Sequence, residues 1–386
     1  MSLNSKFEVI VVGGGAIGCT IAYYLRSEGF KVALVDKGPI GVEASWASAG
    51  IVGPGTFPGG NSWFKPATKM SKKLYDNLNQ ELFEETGQLV GYGGQGTLTL
   101  AFNAEEADGI KKHVEEQNGD DVPTEILTGA EARQREPSLP ENLLAAMLRP
   151  DGRFLDARNY TLTIAKAAEI KGVQILQGWP VTGFLWEKSR IVGVKSRLSS
   201  LIADCVINAA GAWGGQLDPK LFLPIFPDHG QIMALRGPEN GLSHTLCRWS
   251  QPGYITPRVD GRVLVGATHE QIGFQKVITP MGLGLLSNIT KRVLPELINR
   301  RILDIWSGLR PATKDGLPVI GPDYRTSGGY LWATGHSSEG MMQAPATAKV
   351  IVDFVSKKRP RIPIEEVGVN RFKKSVETLE NKLRSL

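Results

Sequence analysis

The run Phe7-Glu8-Val9-Ile10-Val11-Val12-Gly13-Gly14-Gly15-Ala16-Ile17-Gly18 constrains the chain more than any other. Its first six residues are nearly all apolar, as a parallel strand buried on both faces requires. Ala16 to Glu28 has helical periodicity, with Ile17, Ile21 and Leu25 on one face, and stops at Gly29. Lys31 to Val35 reads as the second strand, with Asp36 at its end. Gly13, Gly15 and Gly18 satisfy G-x-G-x-x-G, whose glycines permit a tight turn, close approach of backbone to a pyrophosphate, and close helix–strand packing. The helix start adds N–H donors and the positive end of a dipole. Asp36 follows Gly18 by eighteen residues, where a carboxylate can hold ribose hydroxyls. Strand, glycines, helix and acid together predict a βαβ unit that binds a dinucleotide.

The motif alone does not choose between NAD and FAD. Its place near the start of the sequence favours FAD. So do two later segments. Glu43 to Val52 is rich in small residues and hydroxyls (Ser45, Ser48, Ala49, Gly50) that let backbone lie against phosphates and a flat ring. Ala333 to Met342 joins a strand to a helix and contains Gly335, His336, Ser338, Glu339, Gly340 and Met341. A helix N-terminus aimed at a flavin would stabilise the negative charge that grows on its reduction.

Further along, helices are expected at 69–86, 104–119, 128–136, 283–301 and 338–355, and from an Asp156 cap to Lys171. Strands are expected at 96–102, 173–176, 180–187, 191–197, 201–207, 302–306 and 330–333, and 231–265 reads as mostly β. Residues 44–64 carry no charge and read as a loop. Val9 to Leu25 is too short and glycine-rich for a membrane span, and only superficially imitates a secretory signal.

Several longer blocks resemble the D-amino acid oxidase (DAO) superfamily, and the glycine oxidases most of all. They are Tyr254-Ile255-Thr256-Pro257-Arg258, Val265-Gly266-Ala267-Thr268, Trp306-Ser307-Gly308-Leu309-Arg310-Pro311-Ala312-Thr313-Lys314-Asp315-Gly316, and Gly335-His336 with Pro345-Ala346-Thr347. With Gly13–Gly18 and Ala49-Gly50, the likeness spans about residues 7 to 372. It implies an α/β plus mixed-β fold: a GR2-type, Rossmann-like FAD-binding domain with an antiparallel-sheet substrate domain. The expected FAD-binding domain is discontinuous (1–85, 145–220 and 302–372), the substrate-binding domain comprises 86–144 and 221–301, and 373–386 is a C-terminal amphipathic helical extension. Lys37, Val181 and Gly211 join the residues above as candidate cofactor contacts. The implied reaction is oxidation of a small amino acid or secondary amine to the imino or keto acid, with electrons passing to O2 to give H2O2. The alternative is a dehydrogenase that passes them to a quinone or a partner protein.

The resemblance assigns Arg310 to the substrate carboxylate, which a guanidinium fork can clamp in two places. Tyr254 would share that carboxylate. For Arg310 the competing reading is a structural ion pair, and for Tyr254 a sheet aromatic. Two positions depart from the glycine oxidases: Ser338 stands where they often carry arginine, and His269 where they often carry methionine. His269 thus becomes a candidate for substrate choice or for taking the amine proton, against a solvent-facing turn histidine. Trp249 is a further candidate for the pocket wall.

Cys19, Cys205 and Cys247 do not sit beside the Gly-Leu-Arg-Pro block, so FAD is expected to be non-covalent. Three cysteines fit a reducing compartment, and the expected location is the cytoplasm. Five scattered histidines give no metal-ligand spacing, so no metal is expected. The net charge of +5 is placed in residues 357–386, which hold nine basic and four acidic residues. The remaining body is neutral overall, which argues against nucleic acid. Val369, Phe372, Val376, Leu379, Leu383 and Leu386 form a short heptad seam in that tail. It would dock on the body, join subunits into a homo-oligomer, or meet an acidic partner or the periphery of a membrane.

Overall fold

The protein is represented by a computed structural model that describes residues 6–53, 63–116, 123–197 and 199–373. Two eight-stranded sheets organise it. The first starts from the Phe7–Val12 strand, flanked in parallel by Val32–Val35 on one side and Ser200–Asn208 on the other. Gln174–Leu176 and Tyr330–Thr334 extend it in parallel, and Val319–Pro322 closes one edge antiparallel. Val9 and Val11 face the helices Ala16–Ser27, Phe64–Thr86, Ala157–Ile170 and Gly340–Val355, while Ile10 and Val12 face the opposite cluster around Trp332 and Phe184. Burial on both faces is why this strand is apolar throughout.

The second sheet runs in the order Ile302–Ala312, Phe226–Arg236, Arg262–Gly266, Tyr254–Pro257, Thr245–Arg248, Thr97–Ala101, Ala145–Arg149 and Glu125–Thr128. It is antiparallel except where Thr97–Ala101 meets Thr245–Arg248. Its strands alternate. Met233 and Leu235 pack beneath helix Pro280–Val293, whereas Ile232 and Ala234 face Ala47, Ala49 and Trp306. One face is thus a core and the other fronts the glycine-rich segment of the first unit.

Several expected boundaries shift. Ala145–Arg149 and Ile302–Ala312 pair within the second sheet, so the expected borders at 145 and 302 do not follow the strand pairing. The strand expected at 302–306 continues through Gly308 and Pro311 to Ala312 because it lies at the sheet edge, where proline costs no ladder bond to a neighbour. The strand before it begins at Phe226, not 231. The expected helix 283–301 is Pro280–Val293, capped by Thr279, and Pro295 diverts the chain into a short 3-10 turn. Residues Ala44–Ala47 form one helical turn inside the expected loop. Asp156 caps Ala157–Ile170, accepting from Arg158 N–H (2.9 Å) and Asn159 N–H (3.0 Å).

The start of the C-terminal seam docks on the body: Val369 and Phe372 are buried against the first sheet in a 3-10 turn. Arg371 pairs with Asp315 (2.7 Å) and Arg361 with Asp353 (2.6 Å), so part of the tail's charge is neutralised there. Val376, Leu379, Leu383 and Leu386 lie outside the described residues. Among the described residues, no helix is long and apolar enough to cross a membrane.

Candidate active site

A cavity of about 580 Å³ lies between the two sheets. One end is built by the first βαβ unit. Gly13 adopts φ +110°, and a Cβ there would fall 2.3 Å from the Ala209 carbonyl oxygen. The turn leaves Gly15 as an N-cap with no side-chain cap, so first-turn N–H groups of the helix remain for a ligand. One of them, on Ala16, donates to Ser45 Oγ (2.8 Å). Gly18 does not line the cavity. Its role is packing, since a Cβ would sit 1.9 Å from the Gly13 carbonyl oxygen.

Asp36 organises the loop. Its Oδ2 accepts from Gly14 N–H (2.6 Å) and its Oδ1 from Gly38 N–H (2.8 Å). Burial pushes its carboxyl up, against those two hydrogen bonds. Val181 and Gly211 line the same end. Lys37 also lines it, with Nζ 3.2 Å from the Trp213 ring centroid and 3.2 Å from Glu43.

The middle of the cavity is lined by Ser48, Ala49 and Gly50. Ser48 Oγ accepts from Gly50 N–H (3.1 Å). The segment's carbonyls are held from outside: Trp46 O by Arg158 Nε (3.1 Å), Ala47 O by Trp306 Nε1 (3.1 Å) and Ala49 O by Arg258 Nη2 (2.5 Å). Arg258, 8% exposed, is pushed down to about 10 by burial. Across from this segment, His336, Ser338, Glu339, Gly340 and Met341 line the wall at the start of helix Gly340–Val355. Gly335 is not in the wall; its φ of +78° makes the turn that delivers the others. His336 accepts or donates at Nε2 with Thr347 Oγ1 (2.9 Å), and burial pushes it down to about 3, so the ring is neutral. Its Nδ1 is buried with no partner among the described residues. Burial pushes Glu339 up to about 7.

The other end is the face of the second sheet. Register places Asp228 opposite Arg310 and Gly230 opposite Gly308. Arg310 Nη1 donates to Asp228 Oδ2 (3.2 Å) and to Thr268 O (3.1 Å). Both contacts use one nitrogen, which leaves Nε and Nη2 to a ligand carboxylate. The guanidinium occupies the space above Gly230, where a Cβ would lie 2.3 Å from Nη1. Tyr254 lies over Gly266 in the same way, and burial pushes its hydroxyl up to about 12 against the nearby arginines. His269 is exposed at the rim and shares a 2.7 Å hydrogen bond with Asp228 through Nδ1. Burial would raise Asp228, but the His269 hydrogen bond and the Arg310 charge outweigh it and hold the carboxyl below its ordinary range.

The structure therefore gathers Arg310, Tyr254 and His269 at one end and the glycine loop, Asp36 and the 45–50 segment at the other. Trp249 is not in the wall; it packs edge-on against His113 (5.3 Å). Cys247 is on strand Thr245–Arg248 and lines the cavity, its thiol pushed up to about 11 by burial. Asp228, Gly230 and Arg149 escaped the sequence reading, and Arg258 entered it only as the end of a motif, with no role. Only the strand register reveals the first two, since Asp228 and Arg310 are 82 residues apart. Uncapped helix N–H groups, a ribose-type acid and an elongated cavity fit a flavin dinucleotide, and the orphaned His336 Nδ1 is consistent with a ligand there.

Comparison with known proteins places the fold and the family. The family model described as "DAO: FAD dependent oxidoreductase" matches residues 8–354. The chain is 30% identical to a glycine oxidase of Geobacillus kaustophilus over 375 residues, covering 96% of this chain and 98% of that protein. The crystal structure of glycine oxidase from Geobacillus kaustophilus superposes with a TM-score of 0.88 at 29% identity, over 94% of this chain and 98% of the other. A bifunctional protein ThiO/ThiG of Trichormus variabilis is 30% identical over 96% of this chain, which spans only 56% of that longer protein.

Proposed function

The chain belongs to the FAD dependent oxidoreductase (DAO) family, and from that premise we propose that it oxidises the Cα–N bond of a small amino acid or N-alkyl amino acid. The observation that carries this reading is the placement of Arg310 and Tyr254 on the sheet face that fronts the glycine-rich cradle, in one cavity with it. FAD held by Gly13–Ile17, Asp36, residues 45–50 and the start of helix Gly340–Val355 would supply the hydride acceptor. The product would be an imine, which water converts to the keto acid and an amine, with O2 as the proposed final electron acceptor, giving H2O2.

The chain's own residues orient the substrate. Arg310 takes the carboxylate through Nε and Nη2 while Asp228 and Thr268 fix Nη1. The Tyr254 hydroxyl stays protonated, so it donates to the same carboxylate. With Nδ1 tied to Asp228, a neutral His269 presents Nε2 as the acceptor for the proton an ammonium group must lose. The apolar residues Ile232 and Ala267, which line the cavity beside the Ala47–Ala49 segment, help keep water from the reacting bond.

The test is anaerobic bleaching of the flavin by a panel: glycine, sarcosine, D-alanine, D-proline and larger D- and L-amino acids. Bleaching followed by peroxide release in air is expected. Bleaching without peroxide would replace O2 by a quinone or protein acceptor, and a purified protein without flavin absorbance would overturn the reading. Arg310→Ala should raise KM for carboxylate substrates strongly, and an unchanged KM would remove Arg310 from its role. Three free cysteines among the described residues support a cytoplasmic setting. The basic tail supports contact with an acidic partner or a second copy, which truncation after Phe372 tests by oligomeric state.

A further inference from the structure

Residues 268–279 leave the second sheet after strand Arg262–Gly266 and lead into helix Pro280–Val293. Both roots of this loop are tied to strand Phe226–Arg236. Thr268 N–H donates to Gln231 O (3.3 Å), and Glu270 and His229 exchange two backbone hydrogen bonds (2.9 and 3.0 Å). The fully buried Gln231 side chain donates through Nε2 to Glu270 Oε1 (2.7 Å) and Thr279 Oγ1 (3.0 Å). Its Oε1 accepts from Thr279 N–H (3.0 Å). His229 Nε2 donates to Val277 O (3.0 Å). One buried amide therefore holds the entry and the exit of the loop together.

Beyond those roots the loop faces solvent: of residues 271–278 only Ile272 is not exposed. A thinly packed, exposed segment opens more readily than its buried base. The tip is nevertheless fastened across the cavity. Phe274 packs on Trp213 (ring centroids 5.3 Å apart), and Lys276 pairs with Glu43 (2.6 Å). Lys37 joins the same group, 3.2 Å from the Trp213 ring centroid and 3.2 Å from Glu43. Trp213, Glu43 and Lys37 line the cofactor end with Asp36, whereas Phe274 and Lys276 stand outside the wall. Lys37 and Val42 line the cavity and are also exposed, so the cavity opens to solvent at this end. The loop thus runs from the substrate-side sheet to the mouth of the cofactor end, where one aromatic and one ionic contact hold it.

We propose that residues 268–279 are a strap over the mouth of the cofactor end, with Phe274 and Lys276 as its latch, and that bound FAD leaves only when the latch lifts. The proposal goes beyond the amine oxidation above and needs only a bound FAD. The strength of the latch fits a gate. An exposed ion pair and a single aromatic contact are each weak, so the tip lifts while Gln231 keeps the base in place. The observed rate of FAD release is then the release rate of the open state multiplied by the population of that state. Cutting the latch raises that population without touching a residue of the cavity wall.

The holoenzyme tests this by exchange of its FAD into an excess of a spectrally distinct analogue, 8-chloro-FAD, followed by absorbance. The variants are Phe274→Ala, Lys276→Ala and the two together. Removing both contacts should speed release about tenfold, and removing either alone about threefold. Phe274→Tyr keeps the ring and should release FAD at the parent rate. Met281→Ala, at a 75% exposed position just past the strap, should do the same. Tm should stay near the parent value throughout, because the altered side chains are exposed. Release from the double variant within about twofold of the parent overturns the proposal, since the latch would then hold nothing. So does a Met281→Ala enzyme that loses FAD as fast as the double variant. If the double variant does not keep FAD through purification, the two single variants decide by the same exchange. No amine takes part in the exchange, so failure of the oxidation reading and failure of the strap are separate results.

Discussion

Adding one methyl group at Gly230 tests the carboxylate clamp without removing any of its parts. Gly230 follows Asp228 by two residues and faces the same cavity, opposite Gly308. A Cβ there would lie 2.3 Å from Arg310 Nη1, 2.5 Å from Nη2 and 2.6 Å from Cζ. Ordinary contact needs about 3.5 Å, so the guanidinium must retreat by about 1 Å. It can do so because it is the end of a flexible side chain, and the strand beneath it stays in place. Retreat breaks the geometry with Asp228 (3.2 Å) and Thr268 (3.1 Å) and moves the fork off the substrate. A charge-assisted hydrogen bond contributes about 1.5–3 kcal/mol. Weakening one or two of them to the substrate amounts to about 2–4 kcal/mol, or roughly 30- to 1,000-fold in kcat/KM. The assay is steady-state oxidation with each preparation checked for FAD occupancy and Tm. A Gly230→Ala enzyme, fully loaded and within about threefold of the parent in kcat/KM, would show that Arg310 does not clamp the substrate carboxylate.

The remaining predictions concern the cofactor end. Gly18→Ala places a Cβ 1.9 Å from a backbone oxygen that cannot move alone, so FAD loading should fall and stability drop by about 1–3 kcal/mol; normal loading and Tm would contradict the packing role. His336 is held at about 3 when folded against 6.5 when unfolded, so its contribution is complete above pH 6.5 and is lost as pH falls toward 3, at about 1.4 kcal/mol per unit. His336→Gln should flatten that acid limb in Tm-against-pH curves, and an unchanged slope counts against the assignment. Cys247 lines the cavity as a protonated thiol, a poor nucleophile, so acid precipitation should release all the FAD into the supernatant. Yellow colour retained in the pellet would mean a covalent link.

The parts of this fold legible in the sequence are those whose causes are local. Phe7 to Gly18 dictates strand, turn and helix within a few residues, and Asp156 caps its helix from two and three residues away. Thr128 and Glu131 form a reciprocal capping box that marks another helix start. Where a boundary depends on a distant partner, local signals mislead. Gly308 and Pro311 argue against a strand, and only their place on a sheet edge beside Phe226–Arg236 makes them part of one. The expected pocket residue Trp249 fails for the same reason: its nearness to Tyr254 in sequence is undone by a hairpin turn, and it packs on helix Ala104–Glu116 instead.

Register also makes the two readings of Arg310, clamp and structural ion pair, compatible with each other. Asp228 takes only Nη1, so pairing and clamping draw on different nitrogens of one planar group. Under the proposed function the ion pair would serve the clamp. It fixes the plane of the fork before a substrate arrives, so less rotamer freedom is lost on binding. It also sets the charge balance at the rim. Asp228 is held as a carboxylate by Arg310 and His269 together, which tempers the positive field that a single α-carboxylate would feel there.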